Sequence, residues 1–205
     1  MPRVKQRTPE LRSRLLAAAV ATLNDEGVAR LTTRRVAEQA GTSVPAVYEL
    51  FDDKAGLVRA IFFEGFRLLD AELSGVPVTD DPVADVAALV PVFRRFCLEH
   101  SRLAQVMFSR PFADFDPGPD ELAAGEAVRD IFLGRIQRCL DDGRLTGNAV
   151  DIAHVLLALA KGLAVQEAGC WLGTTPQSIE RRWQLGVHAL LAGFAASAVE
   201  VEVDP

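Results

Sequence analysis

The sequence predicts an all-α protein, a three-helix head followed by a helical body, with about nine helices in total. Three observations predict it. Apolar residues recur at three- and four-residue spacing through most of the chain. These stretches open on short polar residues, several with a proline close behind (Thr8-Pro9, Ser43-Val44-Pro45, Thr175-Pro176), and several close on glycine (Gly27, Gly41, Gly143). Residues 75–81 and 109–120 read as turn-rich connectors, the second with three prolines between Ser109 and Asp120. A length of 205 residues allows one compact unit or two closely joined ones with a sizeable core.

In chain order, residues 1–8 read as a basic arm carrying Arg3, Lys5 and Arg7. Thr8 caps a first helix with Pro9 at its first position, and Leu11, Leu15, Ala18, Ala19, Thr22 and Leu23 form its apolar face. The stretch Leu31–Lys54 is a helix, a glycine turn and a helix. Thr32 or Thr33 is the first cap, Val36, Ala37 and Ala40 share a face, and Gly41 follows where a helix end favours a left-handed residue. Ser43 is the second cap, Pro45 sits in the first turn, and Val47 and Phe51 point inward at i and i+4. Asp52 or Asp53 then caps a helix over roughly 54–73. Its apolar residues (Leu57, Val58, Ile61, Phe62, Gly65, Phe66, Leu68, Leu69) cover more than one stripe, so it touches two bodies.

Pro82 opens a helix to about His100 that contains Pro91, and Ser101 caps a short one through Phe108. Phe112 and Phe115 lie in the proline-rich connector, as anchors or as a wall over a cavity. Asp120 is the expected cap of a helix to about Asp142. Asn148 caps one to about Trp171, and Thr175 caps the last, to about Ala198. On the penultimate helix Ala158, Gly162, Val165 and Gly169 make a small-residue stripe, and on the last Gly186, Ala189, Gly193 and Ser197 repeat it beside Leu190 and Phe194. Such stripes let helices approach closely, either within one chain or as half of an intermolecular four-helix bundle.

Hydrophobic residues make up 49% of the chain, with a mean hydropathy of +0.15, which favours buried helix interfaces or a dimer surface. Net charge is -6, but unevenly placed. Residues 1–60 hold ten Lys and Arg against seven Asp and Glu, and residues 61–205 hold twelve against twenty-one. A basic head on an acidic body is suited to phosphate at one end. Three cysteines do not make a secreted disulfide scaffold. No signal peptide is read at the start, and no uninterrupted apolar run is long enough to cross a bilayer, so the expected location is cytoplasmic with no membrane partner. No P-loop, GxGxxG, GxSxG or HExxH occurs, so no catalytic residue and no cofactor are assigned. Cys97 and His100 have ligand spacing at i, i+3 but lack a third partner, and no metal is assigned.

The run L-T-T-R-R-V-A-E-Q-A-G at 31–41, then P-A-V-Y at 45–48 and F-D-D-K-A-G-L at 51–57, resembles the DNA-binding domain of the TetR family of bacterial regulators. The resemblance is close from Pro9 to about Leu69 and looser beyond residue 75. It implies a helix-turn-helix DNA-binding domain at 8–54 and a ligand-binding and dimerisation domain at 55–205. It implies further that Thr33, Arg34, Val44, Pro45, Ala46 and Tyr48 face double-stranded operator DNA while Lys54 meets phosphate. Leu50 stands where the family usually has His or Tyr, and Glu49 adds a negative charge. The expected dimer surface is Ala158, Gly162, Val165, Gly169, Gly186, Leu190, Gly193 and Phe194. The expected wall of a small-molecule effector site is Phe93, Phe96, Phe108, Phe112, Phe132, Ile136 and His154, with Arg94, His154 or Gln166 as orienting polar groups. The function these imply is that of a homodimeric, ligand-responsive regulator, in the usual family outcome a repressor released from a palindromic operator by a small hydrophobic molecule. Other readings share these residues: an activator, a ligand-independent regulator, or a metal-sensing or ligand-binding helical protein with a vestigial head.

Overall fold

The computed structural model describes residues 8–108 and 119–196, except the side chains of residues 120–122 and 124. Among these it contains nine α-helices: α1 (Pro9–Glu26), α2 (Thr33–Gln39), α3 (Val44–Phe51), α4 (Lys54–Ser74), α5 (Pro82–Glu99), α6 (Ser101–Phe108), α7 (Pro119–Asp141), α8 (Ala149–Ala168) and α9 (Pro176–Gly193). A single 3-10 turn spans Val28–Arg30. The chain divides into two compact units, Met1–Ala71 with Phe96–Glu126, and Glu72–Arg95 with Ala127–Pro205.

In the first unit the caps start the helices as their side chains require. Thr8 accepts from Leu11 N, Thr32 from Arg35 N, and the Asp53 carboxylate from Gly56 N at 2.7 Å. α1 packs on α2 and α6, and α2 on α3. Leu15, Leu23, Leu31, Val36, Val47, Leu57, Ile61 and Leu103 are fully buried, each such residue contributing roughly 2 kcal/mol against an exposed reference. The single O–H of buried Thr22 is shared between Ala18 O and the Gln39 amide oxygen, which ties α1 to the end of α2. Gly65 lets α4 and α6 approach closely. A Cβ there would lie 2.5 Å from Met107 Sδ of α6.

In the second unit, α8 and α9 pair, with Leu159 and Leu163 against Gly186. Phe93 and Phe132 meet edge to face at 6.5 Å. Asp85 is buried and gathers the connector 75–81. It accepts from the Thr79 backbone N–H at 2.9 Å, the Thr79 hydroxyl at 2.7 Å and Arg138 at 2.7 Å. Arg135 lies 3.4 Å from the same carboxylate and donates to the Val76 and Pro77 carbonyls.

Four sequence expectations shift. α7 begins at Pro119, so Asp120 lies inside its first turn instead of capping it. α8 ends at Ala168 with Gly169 as C-cap, short of Trp171. α9 stops at Gly193 instead of running to Ala198, because residues 194–196 turn to pair with 144–146: Thr146 N donates to Phe194 O, and Ala196 N to Arg144 O. α8 is also, by length and composition, apolar enough to cross a membrane, although no uninterrupted apolar run in it is that long. Its polar residues, Asp151, His154, Lys161 and Glu167, break the run, yet the mean hydropathy stays at 1.5. The basic arm, Phe112, Phe115 and Ser197 lie outside the described residues.

Candidate functional site

The helix-turn-helix is set by one backbone conformation. Gly41 has φ +65°, yet no atom lies within 4 Å of where its Cβ would be. Left-handed geometry, not crowding, selects glycine here. Thr42 N then donates to Ala37 O at 2.9 Å and closes the turn. Ser43 holds the N-cap position of α3 but makes no side-chain capping bond. Val47 and Phe51 are buried, Val44 and Ala46 are half-buried, and Pro45 and Tyr48 stand exposed, Tyr48 by 48%. The Arg12 guanidinium lies 5.3 Å above the Phe51 ring and braces α3 from behind.

Beside α3, the start of α2 presents Thr33 and Arg34. The Thr33 hydroxyl makes a long 3.5 Å contact with the Tyr48 hydroxyl, and Arg34 Nε donates to Glu38 Oε1 at 3.0 Å. Arg35, which no sequence motif singled out, is exposed and bonded to Glu26 at 2.6 Å, a contact that raises its already high pKa. The i, i+4 spacing of Arg34 and Glu38 was a legible signal, whereas the Arg35–Glu26 pair spans a turn and was not. Lys54 is exposed at the first position of α4. Gly56 carried no legible signal either. A Cβ there would sit 1.9 Å from Phe51 O, so the tight link between α3 and α4 admits only glycine. Tyr48, Pro45, Arg34, Arg35 and Lys54 thus leave phosphate donors and apolar atoms exposed on one small domain.

A second exposed surface runs along α8 and α9. Val155, Ala158, Gly162, Val165 and Gly169 are exposed on α8, and Leu185, Ala189 and Gly193 on α9, with Val165 at 69% and Leu185 at 64%. No atom lies within 4 Å of a Cβ built at Gly162 or Gly193. Three expected members of this surface face inward or partly so. Gly186 meets Leu159 and Leu163 of its own chain, Leu190 is half-buried, and the Phe194 ring packs 3.7 Å from a Cβ built at Gly147. The α8 stripe shares one exposed helix face, but the spacing could not tell which residues on α9 serve the pair within the chain.

Residues 15–61 match the family model described as bacterial regulatory proteins, tetR family, and residues 86–190 match a tetracyclin repressor-like C-terminal domain. The chain belongs to the TetR family. Members of this family are DNA-binding transcriptional regulators, not enzymes, and typically dimerise. Among solved structures, a protein of unknown function from Rhodococcus sp. RHA1 shares 28% identity with a TM-score of 0.81 over 93% of this chain and 98% of its own. A tetR-family regulatory protein from Rhodococcus RHA1 aligns at 18% identity and TM-score 0.66 over 93% and 100%. A TetR variant from Acinetobacter baumannii AYE in complex with minocycline aligns at 21% and 0.61 over 87% and 93%. No curated protein matches.

In this TetR-family chain the expected effector wall is divided. Phe93, Phe132 and Ile136 are fully buried in the second unit. Phe96 and Phe108 belong to the first, where Phe96 stacks on His100 at 5.0 Å and Phe108 meets Phe66 edge to face at 5.8 Å. His154 is exposed on α8 and its Nδ1–H donates to Val150 O at 2.7 Å, so it lines no apolar wall in the isolated chain. Phe112 falls outside the described residues. Arg94 is already engaged. It is bidentate to Glu167 at 2.8 Å, bonded to Glu180, and stacked over the Trp183 ring at 5.3 Å, while Trp183 Nε1 donates to Glu167 at 2.7 Å. These groups border a cleft of about 460 Å³ with Pro176, Gln177 and Ile179. Of the expected orienting groups, Gln166 is exposed. His100 Nδ1 accepts from the Asn24 amide at 3.2 Å. Among the described residues no three His, Cys, Asp or Glu side chains gather closely enough to hold a metal.

Proposed function

We propose that this regulator binds a palindromic operator as a cytoplasmic homodimer, acts as a repressor, and is released by a small hydrophobic molecule. The observation that carries the reading is the exposed edge of α2 and α3: Arg34, Pro45 and Tyr48 face outward beside Lys54, on a turn fixed by Gly41. Thr33, Arg34, Val44, Pro45, Ala46 and Tyr48 are the proposed DNA-facing residues, and Lys54 is the proposed contact to phosphate.

The homodimer reading is supported by the apolar, small-residue surface of α8 and α9. Exposed Val155, Val165 and Leu185 beside Ala158, Gly162 and Gly193 suit a second copy of the same surface, with two-fold symmetry. Two-fold symmetry in the protein calls for two half-sites about one helical turn apart or a multiple of it.

The effector reading is supported by the aromatic core of the second unit and by the minocycline complex of the related structure. Release requires that the ligand bind the DNA-incompetent state more tightly. A switch from 1:99 to 99:1 needs a preference of about 10⁴-fold. The proposed route is α4, whose chain leads from the head into the second unit. The test is selection of bound duplexes from a genomic library, then a thermal-shift screen of hydrophobic metabolites and antibiotics followed by operator release. A compound that raises Tm and frees the operator supports the reading. Operator binding that no stabilising compound alters, together with a Phe132→Ala variant that regulates normally in cells, reduces the protein to a constitutive DNA binder.

A further inference from the structure

The side chains that α3 can offer to base edges are unusual in their chemistry. Its eight residues are Val44, Pro45, Ala46, Val47, Tyr48, Glu49, Leu50 and Phe51. None is Arg, Lys, Asn or Gln, the residue types that pair bidentately with guanine O6 and N7 or with adenine N6 and N7. Val47 and Phe51 are committed to the core. What remains toward the N-terminal half is Val44, Pro45 and Ala46, which present carbon alone, and Tyr48, whose hydroxyl is in reach of the Thr33 hydroxyl at 3.5 Å. Glu49 follows Pro45 at i+4. A carboxylate only accepts, so the major-groove edge it suits is the cytosine N4 amino group, and it is repelled by guanine N7 and O6 and by phosphate.

The polar side chains of α2 do not supply the missing donors freely. Arg34 is held by Glu38 at 3.0 Å, and the Gln39 amide oxygen, the acceptor that bidentate pairing with adenine needs, is taken by Thr22 of α1. Arg35 is bonded to Glu26. These cations are placed for phosphate, where an ion pair exchanges for another at little cost.

We infer that α3 reads the pyrimidine edge of each half-site, and above all the C5 methyl of thymine, through Val44, Pro45 and Ala46. The inference rests on the proposed DNA-binding surface and adds what that surface recognises. The C5 position of 5-methylcytosine projects into the major groove where the thymine methyl does, so this head responds to cytosine methylation within its half-site.

The experiment uses the full-length protein and the duplex enriched from a random library, resynthesised with deoxyuridine in place of thymidine in the half-sites. Burying one methyl is equivalent to about fourfold in affinity, so each contacted thymine should cost about that factor when its methyl is removed, with an unchanged salt slope. At a position where dT is selected, replacement by dC should weaken binding and replacement by 5-methyl-dC should recover part of the loss. Val44→Thr, similar in shape but hydroxylated, should narrow the dT/dU ratio at unchanged Tm. Equal affinity for the dT and dU duplexes overturns the methyl inference and leaves the DNA-binding reading standing. Failure to enrich or bind any duplex overturns the DNA-binding reading beneath it.

Discussion

The edge of α2 and α3 and the surface of α8 and α9 both leave apolar atoms in water, but with different neighbours. On the head the carbon is a small cap, Val44, Pro45 and Ala46, on a domain that also exposes Arg34, Arg35 and Lys54. Its complement must carry negative charge and a few methyl-sized apolar points, and it is exchanged in use. On α8 and α9 the carbon is broad and poor in charge, from Val155 through Val165 to Leu185 and Ala189, with glycines at 162 and 193 open to solvent. Its complement must be apolar, closely fitted and durable. The composition around the carbon, more than its amount, separates the proposed nucleic-acid face from the proposed self-association face.

The sharpest way to break the comparison is to charge the second surface. Val165→Asp with Leu185→Asp should give a monomer by light scattering and lower operator affinity by at least about 100-fold, since two half-sites are no longer bound as one unit. A wild-type protein already monomeric at micromolar concentration would remove the contrast altogether. Gly162→Leu is a gentler version. Gly186→Trp is not, because the indole would strike Leu159 and Leu163 of the same chain and unseat α8 from α9.

On the head, Tyr48→Phe with Arg34→Ala should weaken operator binding by roughly 1–3 kcal/mol for each base or phosphate interaction removed, with dimer mass and helicity unchanged. Anisotropy titrations at matched salt measure this, and undiminished binding would reassign the DNA-facing surface. An interior group of the second unit serves as a control. Hydrogen bonds from Thr79, then Arg138 and the nearby Arg135, pull the Asp85 carboxyl down to about 2. Its folded value lies below its unfolded one, so the stabilisation is whole above about pH 4 and is lost as pH falls from there through 2. Asp85→Asn should lower Tm at neutral pH and flatten the Tm profile across that acid window, while leaving the proposed DNA-facing residues in place. The smallest effect belongs to Glu38→Gln. The Arg34–Glu38 pair is exposed on both sides, so freeing Arg34 should raise DNA affinity by less than about 1 kcal/mol and steepen its salt dependence. A fall in affinity would show that Glu38 positions Arg34 for DNA instead of restraining it.

The amino-acid sequence by itself determined the head and the helix pattern. Thr8, Thr32, Asp53, Asn148 and Thr175 begin their helices, and Gly27 and Gly41 end theirs, because capping and left-handed turns are decided within a few residues of backbone. The stripes on α8 and α9 were legible for the same reason: residues three and four apart share a helix face. Tertiary structure alone decided what covers each face. Gly162 and Gly186 occupy like positions in like stripes, yet one is open and the other meets its own chain's leucines. Asp85 and Arg138 stand 53 positions apart and Arg94 and Glu167 stand 73 apart, so no spacing announced either pair. Arg94 and His154, read in sequence as candidate groups for a ligand, are respectively locked in an ion-pair network and turned to solvent. A side chain's rotation about its helix axis is a local property. Its partner depends on which other helix the folded chain brings against it, and local spacing does not contain that information.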